Sequence, residues 1–193
     1  MLERLPLGAV IALSFISAPA TAAQPPLGLQ DLLSIGVDAP SEGLKWGASR
    51  RKIQQRYPEL VEHPAFLGFR LQGRLSAQGC TYTAYLSGNR KSDRLEQIWI
   101  VHRTGPLAQC RSQLESALAA LYGPPSTATT PATQDAGEMT LSDWHSATTC
   151  VNLKWEPEGV EHGVSPLEVK LGDVEAGCGY TDQVAPVGPR GAR

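Results

Sequence analysis

Four cysteines, Cys80, Cys110, Cys150 and Cys178, constrain the fold of this chain more than any other feature. They form an even set with regular gaps. Cys80 and Cys110 stand 30 residues apart, and Cys150 and Cys178 stand 28 apart. From Cys80 to Cys150 is 70 residues, and from Cys110 to Cys178 is 68. No Cys-x-x-C occurs, so neither a thioredoxin-type redox motif nor a zinc ribbon is supported. Of the three possible connectivities, this spacing favours Cys80–Cys110 with Cys150–Cys178. That is the pattern of a duplicated unit with one staple per copy. Each closed loop contributes roughly 3–4 kcal/mol in the chain-entropy account of disulfides.

The N-terminus agrees with an oxidising compartment. Residues 1–23 read as a secretory signal: a short n-region Met1-Leu-Glu-Arg4, an apolar run from Leu5 to Ser17, and a small-residue cleavage site at Ala22 or Ala23. The apolar run is shorter than the roughly 20 residues of a membrane span. No cysteine lies near the cut, so no lipid anchor is expected. The sequence thus predicts a periplasmic or secreted protein with two disulfides.

About 170 residues then remain, enough for one ordinary domain with a real core. The formal net charge of -2 argues against nucleic acid or an acidic membrane as partner. Charge is unevenly placed. Residues 24–125 hold 12 Lys/Arg against 8 Asp/Glu, and residues 126–193 hold 4 against 10.

Periodicity predicts the elements. Residues 24–43, rich in Pro and Gly, read as an extended leader, with one short turn at Leu29, Leu32 and Leu33. A helix of two or three turns starts behind Ser49, a suitable N-cap, with Ile53, Tyr57 and Leu60 on one face and Pro58 limiting it. Phe66–Gln72, Cys80–Leu86 and Leu95–His102 read as strands, with a turn at Ser87–Asp93. A second helix has Pro106 at its first position and a stripe of Leu107, Cys110, Leu114, Leu118 and Leu121. Gly123 and Pro124-Pro125 stop it. Ser126–Gly137 reads as a low-complexity loop. Met139–His145, Thr148–Glu156 and Pro166–Leu171 are three more strands, and 183–193 is a disordered tail. The expected fold is α+β: two helices packed on antiparallel sheet, a pseudo-duplicated αβββ unit. One domain spans 44–182, with halves at about 44–104 and 105–182.

Two motifs carry a resemblance. Trp46-Gly-Ala-Ser49 opens the first helix, and Leu121-Tyr-Gly-Pro-Pro125 closes the second. With the tandem helix-plus-sheet order, these resemble small exported bacterial proteins of the beta-lactamase-inhibitor-protein-like architecture, shared in part with small outer-membrane assembly lipoproteins. The resemblance spans residues 43–178 and implies a protein partner. It carries over no catalytic residue. The acidic residue usual in the first turn after Trp-Gly-x-Ser is replaced here by Arg50, Arg51 and Lys52.

That basic turn is the leading binding candidate, with Trp46 beside it. Cations at a helix N-terminus oppose its dipole by about 0.3–1 kcal/mol each when exposed. Guanidinium forks and free backbone N–H groups together suit an anion. The plainer reading is a solvated face that pairs with the acidic second half. Of the four Trp, Trp99 reads as core, while Trp46, Trp144 and Trp155 sit near element ends. His63, His102, His145 and His162 show no metal-ligand spacing, so no metal or cofactor is expected. His145 near Cys150 and Asp143 invites a Cys–His reading. On a single strand, however, residues 145 and 150 point to opposite faces, and an exported cysteine is oxidised. Glu156, Glu158 and Glu161 read as a solvated acidic loop rather than a glycosidase pair. The sequence therefore points to a non-enzymatic protein-binding domain, an inhibitor of an exported hydrolase or an envelope assembly factor. An envelope hydrolase with dispersed residues and a small-ligand carrier are the alternatives.

Overall fold

The computed structural model describes residues 26–37, 43–63, 68–88, 93–130, 138–157 and 165–178. The signal segment 1–23 and the tail 183–193 lie outside the described residues. The elements are α1 (Leu29–Leu33), α2 (Arg50–Arg56), β1 (Val61–Glu62), β2 (Phe69–Ala77), β3 (Cys80–Gly88), β4 (Leu95–Thr104), α3 (Leu107–Tyr122), β5 (Ser126–Thr130), β6 (Met139–His145), β7 (Thr149–Trp155) and β8 (Leu167–Asp173). The strands form one antiparallel sheet in the order β1-β2-β3-β4-β8-β7-β6-β5. The α+β class and both disulfide pairings agree with the sequence reading.

Side chains alternate across a strand, so register decides what shares a face. Leu71, Leu86, Ile98, Leu171, Val151 and Trp144 stand in one row across six strands. Each is at most 2% exposed. All three helices add to this same face. Leu32 and Leu33 of α1, Ile53 of α2, and Cys110, Leu114 and Leu118 of α3 join one buried cluster with the inward side chains of the sheet. The fold is thus two layers, with the core between helices and sheet.

Local chemistry explains the helix ends. The Ser49 hydroxyl accepts from the Lys52 N–H at 3.4 Å, and α2 stops at Tyr57, before Pro58. Pro106 stands one residue outside α3 rather than at its first position, and its carbonyl accepts from the Cys110 N–H at 2.9 Å. Gly123 closes α3 at φ 84°.

Several expectations are corrected. There are three described helices, not two. The segment read as an extended leader forms α1, and Leu32, Leu33 and Ile35 are fully buried. The short turn expected at Leu29, Leu32 and Leu33 is this helix; its single turn of Leu spacing did not show that it closes the core. Side chains of the second half hold it. The Tyr122 hydroxyl reaches the carbonyls of Leu33 at 2.8 Å and Ile35 at 3.0 Å. The Thr149 and Thr148 hydroxyls donate to the carbonyls of Ile35 and Gly36 at 3.1 and 2.8 Å. Gly36 has φ +76°, and a Cβ there would collide with the Thr149 hydroxyl.

Strands β1 and β5 were not expected. The start of the supposed 126–137 loop is a strand, because its Thr-rich backbone finds a partner edge in β6. β2 begins at Phe69 and runs to Ala77, past the expected end at Gln72. Trp99 is not core, and Trp144 is. β4 is apolar on both faces, so its run of Ile98-Trp-Ile-Val101 did not tell inside from outside. The staples also do not fall one per half. Cys80–Cys110 joins β3 to α3, across the boundary at 104/105, while Cys150–Cys178 lies within the second half.

Two variants test this frame by urea unfolding. Tyr122→Phe takes this donor from the Leu33 carbonyl and leaves the Ile35 carbonyl with the Thr149 hydroxyl alone, and stability falls by about 1–2 kcal/mol. Replacing Cys80 and Cys110 together by Ala lowers it by roughly 3–4 kcal/mol.

Candidate functional site

The helices leave the second face of the sheet without a helix among the described residues. One row there runs Val61, Gln72, Tyr85, Trp99, Lys170, Asn152 and Asp143. At its centre the Tyr85 and Trp99 rings lie 5.4 Å apart, tilted by 35°. The His63 ring meets Tyr85 edge-on at 5.5 Å. Cations stand over both rings: Arg70 over Tyr85 at 5.8 Å and Lys170 over Trp99 at 5.6 Å. The Trp99 indole donates to Glu168 at 3.1 Å. Arg103 donates from Nε to the Thr83 hydroxyl at 2.9 Å and from a terminal nitrogen to the Tyr85 hydroxyl at 3.1 Å. Val61 is 59% exposed at the edge of this row. The site is therefore a rigid aromatic pair framed by guanidinium groups on a broad sheet surface.

Sequence reasoning did not single out these residues. The signal was the period-two alternation of Phe69 to Ser76, apolar or Gly inward and Arg70, Gln72, Arg74 and Ser76 outward. Ending the strand at Gln72 hid it.

The structure places the residues that sequence did single out elsewhere. Trp46 is half-buried against the core, and its indole donates to the Thr149 hydroxyl at 2.8 Å. Arg50 meets Glu62 at 3.0 Å and Asp93 at 3.8 Å. Both carboxylates come from the first half, not from the acidic second half. These exposed pairs are each worth about 0–1 kcal/mol, enough to offset an unfavourable dipole placement. Arg51 and Lys52 are exposed.

The Cys–His reading changes in geometry. His145 and Cys150 are on adjacent strands and face each other in register, so they share a face. A turn between β6 and β7, not one continuous strand, accounts for this. Cys150 is bonded to Cys178, so it offers no thiolate. Asp143 accepts from Asn152 at 2.7 Å. Glu156 is buried to 8% exposure and pairs with Lys154 at 2.7 Å, which corrects its reading as a solvated loop residue. Glu158, Glu161 and His162 lie outside the described residues. Among the described residues no group of three His, Cys, Asp or Glu converges as metal ligands. Two open clefts lie off the aromatic row. One of about 580 Å³ borders Trp46, Arg94 and Thr148, and one of about 680 Å³ lies between α1 and α3 beside Gln78 and Gln113. No described helix is long and apolar enough to cross a membrane.

Two polar groups sit on the core face without a hydrogen-bond partner among the described residues: the Tyr82 hydroxyl and His102 Nε2. Their rings meet edge-on at 6.0 Å. Burial pushes the Tyr82 phenol up to about 12. Burial also holds the His102 imidazole below its ordinary 6.5, against hydrogen bonds with the backbone of Thr104 and Gly105 that act the other way.

The unfolded chain therefore binds a proton at His102 more readily than the folded one. The stability this contributes is complete above pH 6.5 and is lost as pH falls below it. Replacing His102 by Gln flattens this part of the stability profile, measured by urea midpoints from pH 7.5 down to 5. Tyr82→Phe removes an unpartnered buried hydroxyl. Stability stays level or rises by up to about 1 kcal/mol, the opposite of Tyr122→Phe.

The chain matches no protein-family model, no curated protein and no solved structure.

Proposed function

We propose that this chain is an exported, non-enzymatic protein-binding domain, and that the face of its sheet that none of the described helices covers is the docking surface. The carrying observation is the Tyr85–Trp99 pair, held outward on central strands by Arg70, Arg103 and Lys170. Tyr, Trp and Arg are the residues that dominate binding energy at protein interfaces. Their contacts fix the rotamers before a partner arrives, which reduces the ordering cost of binding. The two disulfides suit an oxidising compartment, and the signal-like N-terminus supports periplasm or cell exterior.

The strand order supports the duplication. Each half supplies a helix followed by four strands, and the two sets meet at β4 and β8 in mirrored order. In this reading the partner is an exported hydrolase that the chain inhibits or an envelope complex that it helps assemble. Arg51 and Lys52, with Arg50 and Trp46 behind them, supply attraction at a distance rather than the anchor.

The test compares the disulfide-intact protein with its Trp99→Ala and Tyr85→Ala variants as baits against envelope and secreted fractions. A stoichiometric partner held by the parent is lost, or weakened at least tenfold, in both variants while their thermal midpoints stay close to the parent's. A partner captured equally by all three baits overturns the assignment of the face.

A further inference from the structure

We infer that the partner presents an acidic segment to the β2–β4 end of this face, where it meets Arg70, Arg74 and Arg103. This rests on the docking role of the face and names the chemistry of what docks. The outward positions of β2 are Arg70, Gln72, Arg74 and Ser76. Those of β3 are Thr81, Thr83, Tyr85 and Ser87, and those of β4 include Gln97, Trp99 and Arg103. Three guanidinium groups thus share this half of the face with no carboxylate among those positions. Arg50, Arg111 and Lys154 form ion pairs with neighbouring carboxylates, and none of these pairs includes Arg70, Arg74 or Arg103.

Their contacts are neutral. Arg70 lies over the Tyr85 ring, and Arg103 donates to two hydroxyls. Arg74 stands opposite Thr83 in register, and Arg103 bonds that same Thr83, so the two cations flank one residue. Such contacts orient a guanidinium without neutralising it. Most of the five donors of Arg103 remain available for a carboxylate, which they match two at a time. Like charges gathered on β2–β4 repel one another, and the carboxylate nearest the aromatic pair, Glu168 on β8, is bonded to the Trp99 indole.

The other end of the face is different. On β8, Lys170 alternates with Glu168, and on β6–β7 Lys154 stands near Glu156 and Asn152 near Asp143. Charge there is already balanced within the protein. The described outward positions of β6–β8 include the carboxylates of Asp143 and Glu168 between Lys154 and Lys170, so a long polyanion crossing the whole face meets carboxylates at that end. A short acidic stretch of a protein, with an apolar side chain for Tyr85 and Trp99, meets the basic end only. This separates an acidic peptide from nucleic acid or an anionic bilayer.

The experiment uses the ¹⁵N-labelled, disulfide-intact protein. The probe is a decapeptide of alternating Glu and Asp around a central Phe, and its control has Gln and Asn in their place. The acidic probe is expected to bind at least tenfold tighter than the control, to shift the Trp99 indole signal, and to weaken as salt rises from 50 to 300 mM. Arg70→Gln, Arg74→Gln and Arg103→Gln together are expected to remove at least tenfold of that affinity. Arg74→Gln alone, at an exposed position, gives the same direction should the triple variant not fold. Equal binding of both probes, or no shift at Trp99 at millimolar probe, overturns the inference. So does tighter binding of single-stranded oligothymidylate or of phosphatidylglycerol vesicles. The first two outcomes leave the docking face intact, because the Trp99→Ala capture experiment tests that separately.

Discussion

The pairing of β4 with β8 is the contact on which the rest of the molecule depends. Gln97 to Val101 run antiparallel to Gly172 to Glu168, and this ladder joins the last strand of each half. Without it there are two narrow sheets, each too small to exclude water from what packs on it. With it, one row of apolar side chains extends unbroken from Leu71 to Trp144, and the three helices share a single floor. The same ladder sets Trp99 beside Lys170 on the other side. Core and surface feature follow from one register, because a slip of one residue would exchange the two faces.

The N-terminal segment shows how much a core needs a lid. α1 is five residues long and would not hold alone in water. Leu32 and Leu33 are fully buried, and the hydroxyls of Tyr122, Thr148 and Thr149 donate to carbonyls that this short segment leaves open. Those donors come from the far end of α3 and from the start of β7. The first residues of the fold therefore depend on the later ones for their hydrogen-bond donors.

Much of the fold was legible in the sequence, for identifiable reasons. The disulfide pairing followed from spacing, and α3 from its stripe and its Gly123 stop. β6, β7 and β8 followed from alternation. What was not legible depended on neighbours distant in sequence. No local pattern says that Ser126–Thr130 finds the edge of β6, or that the turn of Leu29–Leu33 finds carbonyl partners near residue 149. The face of Trp99 was hidden because β4 is apolar on both sides, which is what a central strand looks like. The open-face residues were hidden for a related reason. Arg70, Tyr85 and Arg103 are unremarked one by one along the chain and become a constellation only when strands are set side by side.

The staple from Cys80 to Cys110 crosses from one half to the other, and this gives the chain an unusual topology. A single backbone cut anywhere between those residues, the exposed Thr104–Gly105 junction included, leaves two fragments that are still one covalent molecule. One fragment keeps α1, α2 and the strands up to the cut, and the other keeps α3 with the whole second half and its own bridge. Nicking by a protease at that turn converts the protein into a two-chain form held by sulfur, rather than into separate pieces.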